Sequence, residues 1–86
     1  MKLKKAFIPH EAGSESLLIP AGGAGFSGLV KGNKTLGAIL ELLRKDTTEE
    51  AIINAMGQRF DAPKDTIERD VKKAIDELRK IGALDE

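Results

Sequence analysis

NKTLGAILELLRKDTTEEAIINAMGQRFDAPKDTIERDVKKAIDELRKIGAL, residues 33–84, decides the fold. It reads as three successive amphipathic helices, each with its own start signal. Asn33 is an N-cap residue, able to accept from the free amides of a first turn, and Leu36, Ile39, Leu40 and Leu43 follow at helical spacing. This predicts a first helix ending near Lys45. Thr47-Thr48-Glu49-Glu50 has the form of a capping box, Thr47 at the cap and Glu50 three residues on. The second helix then presents Ile52, Ala55, Met56 and Phe60 on one face. Pro63 suits the first turn of a third helix and Gly82 the left-handed position just past its end. Between them Ile67, Val71, Ala74, Ile75, Leu78 and Ile81 form one apolar stripe.

Working back from Asn33, the character changes to strand and turn. Lys5 to Ile8 and Ser16 to Ile19 read as two short strands, separated by His10-Glu11-Ala12-Gly13-Ser14 as turn. Pro20 cannot donate to a ladder and ends the second strand, and Ala21-Gly22-Gly23-Ala24-Gly25 is a loop. A third strand from Ser27 to Lys31 leads into Gly32-Asn33. The fold class is therefore α+β and winged-helix-like, a three-stranded antiparallel sheet followed by a three-helix bundle. Residues 1–86 form one domain, with strands and a Gly-rich loop over 1–32 and helices over 33–84.

Fourteen basic residues balance fourteen acidic ones, so no net field gathers nucleic acid or anionic membrane. With no cysteine there are no disulfides and no thiolate metal ligands, which fits a cytoplasmic protein. Met1-Lys2-Leu3-Lys4-Lys5 is basic, but the apolar run after it is too short for a secretory signal, and no window reaches membrane-spanning length.

Gly23-Ala24-Gly25-Phe26-Ser27-Gly28-Leu29-Val30 fits the dinucleotide and kinase glycine patterns. Neither chemistry has its context, because Gly32-Asn33 follows too soon for a helix N-terminus to meet a pyrophosphate. His10 is a lone histidine in the turn, without a second ligand or a nucleophile. No metal site, cofactor or catalytic group is expected, and the chain reads as a binding module rather than an enzyme. The helix order raises a winged helix-turn-helix, DNA-binding or transcription-related module as an alternative. The start of helix three, with Asp61, Asp65, Glu68 and Asp70 against Lys64 and Arg69, is too acidic for phosphates. What remains is an open third strand beside helix three, able to take a peptide in strand form. Ile67, Val71 and Ile75 serve core, groove or both.

The order Gly32-Asn33-Lys34-Thr35, Asp46-Thr47-Thr48-Glu49-Glu50, Arg59-Phe60-Asp61-Ala62, Asp70-Val71 and Leu78-Arg79-Lys80-Ile81-Gly82-Ala83-Leu84 resembles the PqqD family of pyrroloquinoline quinone biosynthesis and its relatives in other peptide-modification pathways. That family usually has Leu before the Asn and Gly after the Thr. Here Gly32 and Leu36 hold those places, and Leu40 stands where an aromatic residue is common. The resemblance implies a non-catalytic RiPP recognition element, a peptide chaperone. It would bind the leader of a ribosomally made precursor peptide and present it to a radical SAM/SPASM-type maturase. It further implies Leu29, Val30 and Lys31 at the strand edge, with Val30 supplying one of its free donors; Ile67, Val71, Ala74 and Ile75 as the helix wall; and Asp70 as the helix-three acid. A domain detached from a larger maturase, and a homodimer formed by strand exchange through the Gly-rich connector, stay open as alternatives.

Overall fold

A computed structural model describes residues 1–21 and 30–86. The element order is β1 (Lys2–Leu3), β2 (Phe7–Ala12), β3 (Glu15–Pro20), β4 (Val30–Gly32), α1 (Lys34–Leu42), α2 (Glu49–Arg59), α3 (Lys64–Lys80) and β5 (Leu84–Asp85). Strands β2, β3 and β4 form the expected antiparallel sheet in the order β2-β3-β4. Its hairpin turns on Gly13 and Ser14 alone, with Ala12 opposite Glu15. Gly13 has φ +66, which a glycine adopts without a Cβ clash. The five-residue turn read from the sequence is thus too long. His10 lies on β2 opposite Leu17, because a left-handed Gly13 closes the hairpin in two residues. Strand β3 ends at Pro20, as its missing N–H requires. Of the third strand, Val30 and Lys31 are described and paired; the glycine motif and residues 27–29 lie outside the described residues.

The helix caps follow local chemistry where nothing competes. Leu36 N–H donates to Asn33 Oδ1 at 3.2 Å, as expected. Helix α1 stops at Leu42 rather than Lys45, and the Leu43 carbonyl instead accepts from Leu3 N–H at 2.9 Å. The capping box does not form. Thr48, not Thr47, caps α2, its Oγ1 accepting from Ala51 N–H at 3.1 Å. Thr47 is held by Met1 on both sides: its N–H donates to the Met1 carbonyl at 2.8 Å and its carbonyl accepts from the Met1 ammonium at 2.7 Å. Pro63 stands just before α3 and its carbonyl accepts from Ile67 N–H at 3.1 Å. At the far end Gly82 has φ +74. Gly82 N–H reaches the Arg79 carbonyl at 3.1 Å and Ala83 N–H the Leu78 carbonyl at 2.9 Å, the paired bonds of a Schellman motif.

That turn sends the chain into β5, which pairs with β1 through Lys2↔Asp85 and Leu3↔Leu84. This second small sheet was not expected from the sequence. Leu3, Phe7, Leu18, Ile39, Leu40, Leu43, Ile52, Met56, Val71, Ile75, Leu78 and Leu84 are buried in one cluster. Full burial of each leucine or isoleucine contributes about 1.5–3 kcal/mol. Gly37 lets α1 approach the sheet closely, since a Cβ there would overlap the Oγ of buried Ser16.

Candidate functional site

A three-stranded sheet has two edges, and the hydrogen-bond parity of this one separates them. Ala21 N–H donates to the Ala6 carbonyl at 2.6 Å, one step beyond the Phe7↔Pro20 pair. Bonded pairs alternate along an antiparallel ladder, so Ile8/Ile19, His10/Leu17 and Ala12/Glu15 exchange bonds, whereas Pro9 and Pro20 fall where no N–H is needed. On β2 the outward positions are then Phe7, Pro9 and Glu11. Phe7 N–H is already donated to the Lys4 carbonyl at 3.0 Å, and Pro9 has none to offer. That edge is poorly suited to strand addition.

The other edge has the opposite character. On β3, Ser16 and Leu18 face β4, and they pair with Gly32 and Val30. Val30 and Gly32 therefore spend their backbone groups inside the sheet, and Lys31 turns its N–H and C=O outward. The expectation that Val30 supplies a free donor is corrected by this parity, which places the free donor one residue later.

Beside that edge runs α3, and between them lie two neighbouring cavities that share Leu36, Ala74 and Glu77 and together form a groove. One part, of about 310 Å³, is lined by Lys31, Gly32, Leu36, Asp70, Lys73 and Glu77 among others. The other, of about 250 Å³, is mainly apolar and is lined by Val30, Leu36, Ala74, Leu78 and Ile81 with the stems of Glu77 and Lys80. Gly32 is required at the floor: a Cβ there would overlap Leu36 Cδ2 and stand 2.8 Å from Leu36 Cβ. Charge along the helix wall alternates in sign through Asp70, Lys73 and Glu77.

The residues named from the sequence divide accordingly. Val30, Lys31, Asp70 and Ala74 border the groove. Ile67 is 7% exposed and Val71 and Ile75 are 0% exposed, within the core. Leu29 lies outside the described residues. The sequence reading missed Gly32, Leu36, Lys73, Glu77 and Ile81. Asp70, Lys73, Ala74 and Glu77 recur at helical spacing, so the signal existed, one position removed from the apolar stripe that drew attention.

His10 is exposed on the outer face of β2. Among the described residues no helix is long and apolar enough to cross a membrane.

No curated protein matches this chain. A solved structure of TbiB1 in complex with the TbiA(beta) leader peptide is similar over 99% of this chain and 95% of that one, with a TM-score of 0.78 and 20% identity. At that identity the likeness speaks for the fold: the sheet and three helices described above. The family model for coenzyme PQQ synthesis protein D matches residues 16–84, which include β3 from Ser16 onward, β4, all three helices and both walls of the groove, and the chain belongs to the PqqD family.

Proposed function

We propose that this chain is a non-catalytic recognition domain, spanning residues 1–86, that binds the leader of a ribosomally made precursor peptide in the cytoplasm and presents it to a radical SAM maturase. The observation that carries the binding reading is the outward-facing Lys31 backbone beside a half-apolar groove. An extended peptide gains main-chain hydrogen bonds at such an edge and specificity from alternate side chains in the groove. The leader-bound TbiB1 structure of the same fold supports the same ligand class. The maturase rests on the family alone. Both walls of the groove come from one copy, so binding needs no strand exchange.

The test is titration of the labelled protein with synthetic leader peptides of candidate precursors from the same genome. Amide signals from Val30 to Gly32 and from Asp70 to Ile81 should shift together. Ala74→Gln puts bulk into the groove while keeping a good helix former. It should weaken the peptide at least tenfold with an unchanged circular dichroism spectrum. Shifts confined to α2 would refute the edge-strand reading.

A further inference from the structure

We propose that Lys31 selects an acidic residue at one fixed position of the bound strand. This rests on the peptide-strand reading above and goes further, to the register of the peptide and the charge it must carry.

Register comes first. Lys31 alone among β4 residues turns both backbone groups to the open edge, so an antiparallel strand exchanges its paired bonds with Lys31. The peptide residue in that pair sits about 5.5 Å away, Cα to Cα, with its side chain on the same face as Lys31. Its two neighbours fall opposite Val30 and Gly32, and their side chains turn toward α3 and the groove.

Charge follows from the face. Leu17, directly opposite Lys31, and Ile19 beyond it lie on the outer side of the sheet, while Ser16 and Leu18 are buried against the helices. Lys31 therefore stands on the outer face, exposed, with apolar Leu17 on its protein side and His10 across from Leu17. Glu15 is its diagonal neighbour on that face. The ion pairs among the described residues join Met1 to Asp46, Arg59 to Glu41, and Arg79 to Asp76 and Glu86, and none includes Lys31. Among the described residues no strand pairs with the outer side of β4, and the lateral position beside this ammonium is the one an added strand fills. Opposite charges directly across a strand pair stabilise it and like charges destabilise it. The ligand so defined carries Asp or Glu between two groove-facing residues, of which the one opposite Val30 is apolar, to suit the Val30, Leu36, Ala74 and Ile81 lining.

The experiment is selection from a random nine-residue peptide display library on the wild-type protein and on Lys31→Glu. The selected peptides are then measured against both proteins by calorimetry and mapped by amide shifts. Wild type should enrich Asp or Glu at one position, next to an apolar residue, and Lys31→Glu should enrich Lys or Arg at that same position. Replacing the acid by Lys in a selected peptide should weaken wild-type binding about two- to fivefold and strengthen binding to Lys31→Glu. Peptides that shift β4 and α3 signals yet show no positional acid, or whose charge preference survives Lys31→Glu, overturn the Lys31 assignment and leave edge binding standing. If no selected peptide perturbs β4 or α3, the peptide-binding reading itself falls, and this one with it.

Discussion

Gly32 and Leu36 stand where the family usually has Leu and Gly, and the structure shows the two positions sharing one space. A Cβ on Gly32 would overlap Leu36 Cδ2 and lie 2.8 Å from Leu36 Cβ and 3.0 Å from Cγ. A rotamer change can move Cδ2, but Leu36 Cβ is fixed by the backbone of α1. Gly32→Leu should therefore cost about 1–3 kcal/mol by overpacking. Its φ is not in the left-handed region, so backbone strain adds nothing. Leu36→Gly loses a half-buried leucine, about 1–2 kcal/mol, and puts glycine in a helix, about 1 kcal/mol more. In the double variant the leucine side chain introduced on β4 enters the volume vacated on α1, leaving mainly the helix-propensity cost. The singles sum to roughly 3–6 kcal/mol, and the double should lose no more than about 1–2, a coupling of at least about 1 kcal/mol. Urea unfolding followed by circular dichroism measures all four corners of the cycle. Additivity within about 0.5 kcal/mol would refute the shared-space argument. Because Leu36 lines both parts of the groove, the double variant should also bind peptide differently while folding normally.

Two further predictions rest on parity and charge. Val30→Pro removes the donor that serves the buried Leu18 carbonyl and should cost about 1–3 kcal/mol in urea unfolding; Lys31→Pro removes an outward donor and should cost under about 1 kcal/mol while abolishing strand addition. A larger loss for Lys31→Pro than for Val30→Pro would mean that the parity is reversed, and equal losses would mean that neither donor is held inside the sheet. The Met1 ammonium, 2.7 Å from Asp46 Oδ1, holds the Asp46 carboxyl below its ordinary range, first by that hydrogen bond and then by charge. A depressed carboxylate gives stability that is present above the unfolded value, near 4, and is lost as pH falls through the folded one. The gap in urea midpoint between wild type and Asp46→Asn should therefore be present at neutral pH and shrink as acidification protonates the Asp46 carboxylate, and a gap that persists or widens on acidification contradicts the pairing.

What the sequence made legible was local. Asn33 and Gly82 cap helices because the chemistry is contained within a few residues, and the three apolar stripes survive because burial enforces their period. Some of the misreadings turn on contacts from far along the chain. The capping-box pattern favours Thr47 as the cap until Met1 claims the backbone of Thr47, 46 residues away. Two-residue strands such as β1 and β5 have no periodicity to detect. His10 looked like turn because its neighbours are turn formers, yet a single left-handed glycine suffices. Which strand residues face the open edge is a parity, and a shift of one residue inverts it without changing composition or pattern.

The candidate site was legible in part: Val30, Lys31, Asp70 and Ala74 were named, and Lys73 and Glu77 on the same helix face were not. Helix α3 carries two stripes offset by one residue, about 100° around the axis: Ile67, Val71, Ile75 and Leu78 enter the core, and Asp70, Lys73, Ala74 and Glu77 border the groove. The first stripe is apolar throughout and dominates any hydrophobic reading; the second mixes acid, base and alanine and looks like ordinary solvated surface. The offset has a consequence for how such a domain changes ligand. Asp70, Lys73 and Glu77 are exposed, so their substitution can alter the groove's charge without touching the buried stripe that anchors the helix. The floor is different, because Gly32 and Leu36 exclude one another and must change together. Ligand charge should therefore vary one residue at a time along α3, whereas the shape of the floor can change only by coupled substitution.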